Sequence, residues 1–308
     1  MDPAERRTYR IIPGIHDMLI LDRRRFATLA GCLALMVTGR VRAADRLEDV
    51  IGREEKAIGA RLGVAIHDTH EDVWWRHRSD ERFPMCSTFK VLAGAATLKR
   101  VERREDDLTR RVSIAPGDVV TYSPVTEKRV GENTMILAEV LQAALTMSDN
   151  TAANILIDRL GGPEAVTRFA RSIGDGTTRL DRRETDLNEA TPGDPRDTTT
   201  PEAMTRTLEK LIVGDALQPT TRLMLEGWMV ANTTGDAKLR AGLPPSWRVG
   251  DRTGGGAHGT MGDIAVIWPI DRKPVVASVY ITETDASVDR RNETIAAIGK
   301  ALASELAR

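Results

Sequence analysis

Apolar positions along this chain change period, and the changes mark out its elements. From about Asp45 to Ala60, Leu47, Val50, Ile51 and Ile58 fall on one side of a helix. Residues from Gly63 to His67 and from Val73 to Trp75 alternate as two strands joined by a polar turn. A helical stretch runs from Ser87 through Val91, Leu92, Ala95 and Leu98. Asn133 is placed to cap another helix, carrying Ile136, Leu137, Val140, Leu141 and Ala144. A further helix holds Ile155, Leu156 and Leu160, and Gly161-Gly162-Pro163 is expected to stop it. The stretch from Thr191 to Pro201 reads as a loop, and helix returns from Glu202 to Leu211. Near the end, Ile264 to Trp268 and Val275 to Ile281 are β-branched strands, and Asn292 to Leu306 is a closing helix.

Strand signals therefore lie at both ends of the chain and helices in the middle. The economical arrangement is one sheet made from the N- and C-terminal segments, covered by helices, with an all-helical lobe inserted. We expect an α/β lobe from residues 45–79 and 231–308 and an all-α lobe from residues 80–230. A cleft between lobes is a favoured place for a small-molecule site.

The first 44 residues do not read as part of a folded domain. Arg23-Arg24-Arg25-Phe26 precedes a modest apolar run to Gly39, then Val41-Arg42-Ala43. That is a charged segment, an apolar segment and a small residue at a cleavage point. The arginine pair resembles a twin-arginine export signal, so a periplasmic mature protein with no membrane attachment is expected. Leu29-Ala30-Gly31-Cys32 also fits a lipoprotein cleavage box. Its short distance from Arg25, and the apolar residues beyond it, argue against lipid on Cys32. With Cys32 removed, Cys86 has no partner for a disulfide and is expected as a small buried apolar residue. A net charge of −1 gives no sign of a nucleic-acid surface.

Chemistry enters through polar clusters in a particular order: Ser87-Thr88-Phe89-Lys90, Ser148-Asp149-Asn150, Arg182 through Asn188, and Asp251-Arg252-Thr253-Gly254. Each is weak alone. Three residues separate Ser87 from Lys90, which puts both on one helical face. A serine hydroxyl there is a nucleophile once a base takes its proton, and free N–H groups at the helix start can receive an oxyanion. Ser148 can pass a proton to a leaving nitrogen. Asn150 can both accept from and donate to an amide. A local turn that caps the next helix is the simpler role for this cluster, and it is compatible with catalysis.

Taken together these residues resemble the class A serine β-lactamases, whose signature with penicillin-binding proteins is Ser-x-x-Lys, Ser-Asp-Asn and Lys-Thr-Gly. The resemblance covers the chain after about residue 44. It implies an α/β plus all-α fold, an antiparallel sheet flanked by helices with the helical lobe inserted. It also implies hydrolysis of the β-lactam ring of penicillins, with carbenicillin and some cephalosporins among the candidate substrates, through a serine acyl-enzyme, with no cofactor, a β-lactam as the small-molecule partner, no nucleic acid and a monomer. On it, Ser87, Lys90, Ser148, Glu184 and Asn188 are expected to be catalytic. Asn150, Tyr122, Arg252, Thr253, Gly254 and Gly255 are expected to bind substrate. Glu184 and Asn188 would share the hydrolytic water, while Gly255 and Ser87 N–H groups would make the oxyanion hole. Arg182 and Asp197 would pair to close their loop. Tyr122-Ser123-Pro124 would supply the wall opposite, and Gly254 would leave room for substrate.

Two departures stand out. Arg252 replaces the usual lysine, as in carbenicillin-hydrolysing penicillinases, so a planar fork is expected to hold the substrate carboxylate and to favour penicillins. Met261 stands where relatives often carry an arginine, with Lys238 or Arg252 as the compensating cation. A penicillin-binding transpeptidase is the nearest rival, and Glu184 with Asn188 argues against it. A penicillin sensor would need a membrane-spanning segment, and no apolar run is long enough. Gly254, Gly256 and Gly259 match a nucleotide-binding pattern but precede a strand where a helix is required. His67, His70 and His77 lack a matched fourth ligand and are expected at the surface, with no metal.

Overall fold

The computed structural model of the protein describes residues 46–131 and 134–308. The export segment, Cys32 and the proposed capping residue Asn133 lie outside the described residues.

Helix α1 (Leu47–Ile58) buries Leu47, Val50, Ile51 and Ile58, and ends where Gly59 turns left-handed at φ 56°. Strands β1 (Arg61–Asp68) and β2 (Val73–His77) form the expected hairpin. A short ladder pairs β3 (Phe83–Pro84) with residues far along the chain, and brings it to a 3₁₀ turn, Cys86–Phe89. Helix α2 (Lys90–Glu102) starts from that turn. Ser87 thus sits in a 3₁₀ turn and not in the first α-helical turn, and the i,i+3 spacing to Lys90 is what a 3₁₀ turn aligns most closely.

The ladder of β4 (Arg111–Val112) with β5 (Met135–Ile136) leads into α3 (Leu137–Thr146). The Glu139 carboxylate accepts the Ile136 N–H there at 2.8 Å. Helix α4 (Asn150–Leu160) is capped by Asp149, which accepts from Ala152 N. Gly161 ends it, but Pro163 does not stop the chain. It opens a new helix, α5 (Pro163–Ser172), because proline at the first helical position gives up an N–H that has no partner anyway.

After β6 (Thr198–Thr199), Thr200 caps α6 (Pro201–Ile212). Helix α7 (Pro219–Val230) and the short α8 (Leu239–Gly242) carry little apolar periodicity, and the sequence reading missed both. Strands β7 (Arg248–Gly255), β8 (Met261–Trp268) and β9 (Val275–Thr282) follow, then α9, which begins at Val288, four residues before the expected start, and runs to Leu306.

The antiparallel sheet has the order β2-β1-β9-β8-β7. Every residue of β9 is buried, so this strand has core on both faces. On one face α1, α8 and α9 cover a cluster including Leu62, Val64, Ala265, Val279 and Ile298. On the other, the middle helices build a second cluster that reaches the sheet through Phe83, Ile264, Val276 and Tyr280. This is the expected α/β plus all-α architecture. Strand β7 is an edge strand whose register sets Thr253 opposite Asp263, Gly254 opposite Gly262 and Gly255 opposite Met261.

His67 corrects the expectation of a surface histidine. It is buried, stacked on Trp74 at 4.2 Å, and lies between Glu209 and Asp72. No group of side chains suited to a metal occurs among the described residues. Among them, no helix is long and apolar enough to cross a membrane.

Candidate active site

Three separate segments meet at Ser87. The preceding strand is tied to the 181–197 loop where Met85 N–H donates to Asp197 O at 2.9 Å. Cys86 takes a left-handed φ of 44°, which turns the chain sharply into the serine. Its thiol is buried and burial pushes its pKa up, so it is the inert apolar residue expected. Gly254 lies against this turn. A Cβ there would meet Met85 O at 2.7 Å and Ser87 N at 3.1 Å. Its lack of a side chain makes room for the serine's own backbone.

The Ser87 hydroxyl donates to Glu184 Oε1 at 3.1 Å. Lys90 Nζ is 3.0 Å from the same oxygen. That ammonium also donates to Asn150 Oδ1 at 2.6 Å, Ser148 O at 2.9 Å and Ser148 Oγ at 3.2 Å. Burial lowers the Lys90 pKa to about 8; Glu184 opposes the shift, and the nearby Arg252 cation adds to it.

Glu184 is fixed from both sides. Its N–H and C=O pair with the Asn154 side chain at 2.9 and 2.8 Å, and its peptide bond to Thr185 is cis. Asn188 Nδ2 donates to Glu184 Oε2 at 2.6 Å, while Asn188 Oδ1 has no hydrogen-bond partner among the described residues. The surrounding loop is closed by Arg182 Nε and Asp197 Oδ2 at 2.6 Å. Asp197 Oδ1 accepts the Asp181 and Arg182 N–H groups as well.

Asn150 is more committed than the sequence suggests. Its oxygen accepts a hydrogen bond from Lys90 Nζ, and its Nδ2 donates to Thr121 O at 2.8 Å. The capping role belongs to Asp149. Tyr122, at φ 64° and 56% exposed, lines the cavity as expected.

That cavity has a volume of about 440 Å³. Ser87, Ser148, Asn150, Asn188, Thr253, Gly254 and Gly255 line it with Tyr122, and Met261 forms part of its floor. Arg252 does not line it. The guanidinium is fully buried, with Nη2 donating to Ser148 Oγ and Nη1 to Thr234 Oγ1 at 3.3 Å. The expected fork toward the cavity is therefore turned inward.

Sequence reading also missed Thr234, Arg291 and Asn154. Thr234 Oγ1 is 2.6 Å from Thr253 Oγ1, and Lys238 donates to Thr234 O at 3.2 Å. Arg291, one turn into α9, lines the cavity, and partial burial lowers its pKa. Nothing in their local sequence marks these positions, since packing of distant segments brings them in. Asn154 alone carried a signal: it lies one helical turn beyond Asn150 and so on the same face.

A hydroxyl bonded to a buried carboxylate that is itself paired with a buried lysine, beside a second hydroxyl held by two cations, is an arrangement suited to acyl transfer. Residues 42–306 match the family described as the beta-lactamase enzyme family. The chain belongs to the class A serine β-lactamases. It is 48% identical over 280 residues to beta-lactamase CTX-M-8 of Citrobacter amalonaticus, covering 90% of this chain and 96% of that one. Identity to beta-lactamase OXY-2 of Klebsiella oxytoca is also 48%, over 279 residues, with 90% and 96% covered. The structure is similar to the class A enzyme of the last common ancestor of Gram-negative bacteria, with a TM-score of 0.83 and 53% identity. That match covers 84% of this chain and 99% of the ancestral one. As a class A β-lactamase the enzyme hydrolyses β-lactams, the reaction that gives resistance to these antibiotics.

Proposed function

We propose that the enzyme is a penicillinase whose substrates include carbenicillin, with Ser87 as the nucleophile. The observation that carries this reading is the Glu184 carboxylate, which touches both Ser87 and Asn188. Lys90 or Glu184 takes the Ser87 proton, and the hydroxyl attacks the lactam carbonyl. The N–H groups of Ser87 and Gly255 receive the oxyanion. Ser148 gives its proton to the ring nitrogen as the C–N bond breaks, leaving an ester on Ser87. Glu184 then takes a proton from water positioned with the help of Asn188 Oδ1, and the hydroxide releases the penicilloic acid.

Thr253 and Thr234 hydroxyls, with the Lys238 and Arg291 cations at the cavity, form the carboxylate-binding side. Two cations suit a substrate with more than one carboxylate, which supports carbenicillin as a substrate. The two-lobe division at residues 79/80 and 230/231, a periplasmic location reached by the twin-arginine route, and a monomeric state complete the proposal.

Turnover of benzylpenicillin by residues 45–308, with intact mass after mixing, tests the mechanism. Many turnovers with transient acylation support it; one equivalent consumed with a lasting adduct on Ser87 refutes it. A carbenicillin kcat/KM far below that for benzylpenicillin refutes the substrate preference.

A further inference from the structure

We propose that the recess between α2 and α5 binds a free amphipathic anion, one carboxylate or sulfonate on an aryl or alkyl body. It shares no residue with the cavity at Ser87.

The recess has a volume of about 380 Å³, within the range of small-ligand pockets. Its floor is apolar. Ala96 and Phe169 are buried there, with half-buried Leu160 and Ala165 beside them. Its rim is cationic: Lys99, Arg100, Arg103 and Arg168 stand against one carboxylate, Glu105.

The four cations are not equally free. Lys99 Nζ pairs with Glu102 at 2.8 Å and donates to Ala216 O at 2.9 Å. Arg100 Nη1 donates to Arg159 O at 2.5 Å, and the ion pair of its Nε with Glu105 is stretched to 3.6 Å. Arg103 has no carboxylate within 4 Å among the described residues. Arg168 meets Glu164 at 3.7 Å, an exposed pair of little worth. Cations at a helix C-terminus complement its dipole, which accounts for Lys99 and Arg100 at the end of α2. It does not account for Arg168, which lies in the middle of α5 and lines the same recess. Two helices therefore bring uncompensated positive charge to one mouth.

This layout decides how a ligand lies. The apolar side chains are buried and the charges exposed, so an apolar body enters first and its anionic head stays at Arg103 and Arg168. A lipid in a bilayer presents its headgroup first, with its acyl chains held away from the protein, and would leave the floor uncovered. The ligand is therefore a free molecule and not a membrane surface.

Anilinonaphthalene sulfonate is the probe, since its fluorescence rises when its rings leave water, and dodecanoate is the competitor. The wild-type protein is expected to bind one equivalent of the dye, to release it to dodecanoate, and to bind it more weakly as salt is raised. Arg103→Glu with Arg168→Glu reverses two exposed charges and is expected to weaken binding about tenfold. Ala165→Phe, which fills the floor, should weaken it at least as much. Benzylpenicillin turnover should be unchanged in both variants, because neither alters the Ser87 cavity, and this also checks that they fold. If Ala165→Phe does not fold, the charge reversals at exposed positions carry the test. Dye binding that the variants do not weaken overturns the site. Equally tight binding of phenylnaphthylamine, the uncharged analogue, overturns the anion. Binding to phosphatidylglycerol vesicles that needs Arg103 and Arg168, without binding of dye or dodecanoate, overturns the free ligand in favour of a membrane surface.

Discussion

Glu184 Oε1 accepts the Ser87 hydroxyl at 3.1 Å, so the residue expected to act in the second half of the reaction also touches the proposed nucleophile. Its other oxygen is held by Asn188, and Lys90 neutralises it. On the proposed mechanism both half-reactions therefore converge on one buried carboxylate. Glu184→Gln keeps the shape and removes the base. It should slow deacylation by about a hundredfold or more, the usual contribution of a positioned base. Acyl-enzyme should accumulate on Ser87, visible as a mass increase after mixing with benzylpenicillin. A variant that turns over without accumulation would remove Glu184 from the hydrolytic step.

The buried Lys90 links stability to pH. Its pKa falls from 10.5 unfolded to about 8 folded, so between those values the unfolded chain binds one more proton than the native enzyme. Stability then rises with pH across that window. Below about pH 8 both states are protonated there, and the cost of burying the cation is constant. Relative to Lys90→Met, the wild-type enzyme should gain stability steadily from about pH 8 to pH 10.5. Urea unfolding of both proteins at several pH values measures this, and a constant difference would show that Lys90 is not desolvated.

The 181–197 loop depends on Asp197, which is 1% exposed and holds Arg182 together with backbone N–H groups at 181 and 182. Its carbonyl also receives Met85 N–H, next to the nucleophile turn. Asp197→Asn leaves Arg182 without its buried counter-charge, which costs about 3 kcal/mol. Thermal unfolding should show a lower Tm. Deacylation should fall more than acylation, because the loop carries Glu184 and Asn188. An unchanged Tm would show that the ion pair contributes nothing.

Much of this site was legible because its chemistry sits in short motifs. Ser87 and Lys90, and Glu184 and Asn188, are each placed by local spacing, so identifying the residues came close to placing them. The strands were legible for a similar reason, since β-branched runs such as Val275 to Ile281 have few alternatives. What failed was non-local. The inward turn of Arg252 depends on hydroxyls from two other segments, Ser148 and Thr234. Arg291 reaches the cavity only because α9 packs beside the sheet. Helix α7 was missed because Leu223, Met224, Leu225, Trp228, Met229 and Val230 spread apolar side chains around the helix instead of along one stripe, and α5 was missed because Pro163 was read only as an end and not also as a start.

Gly256 is wedged between the Cys86 turn and the loop that carries Asn188. A Cβ at this position would meet Asn188 O at 2.7 Å and Cys86 Sγ at 2.8 Å. The second contact is with a compact side chain, but the first is with backbone, which must move. Ala257 N–H already donates to Asn188 O at 3.0 Å, so the loop has no slack on this side. Gly256→Ala should therefore push Asn188 outward and lengthen its bond to Glu184 Oε2. The cost of forcing such a contact is about 1–3 kcal/mol, measurable as a fall in urea midpoint with unchanged m. Because the displaced residue belongs to the hydrolytic half, deacylation of benzylpenicillin should slow while acylation keeps most of its rate. Equal losses in both steps would place the strain on Ser87 through Cys86 instead, and unchanged kinetics with unchanged stability would mean the loop is free to yield.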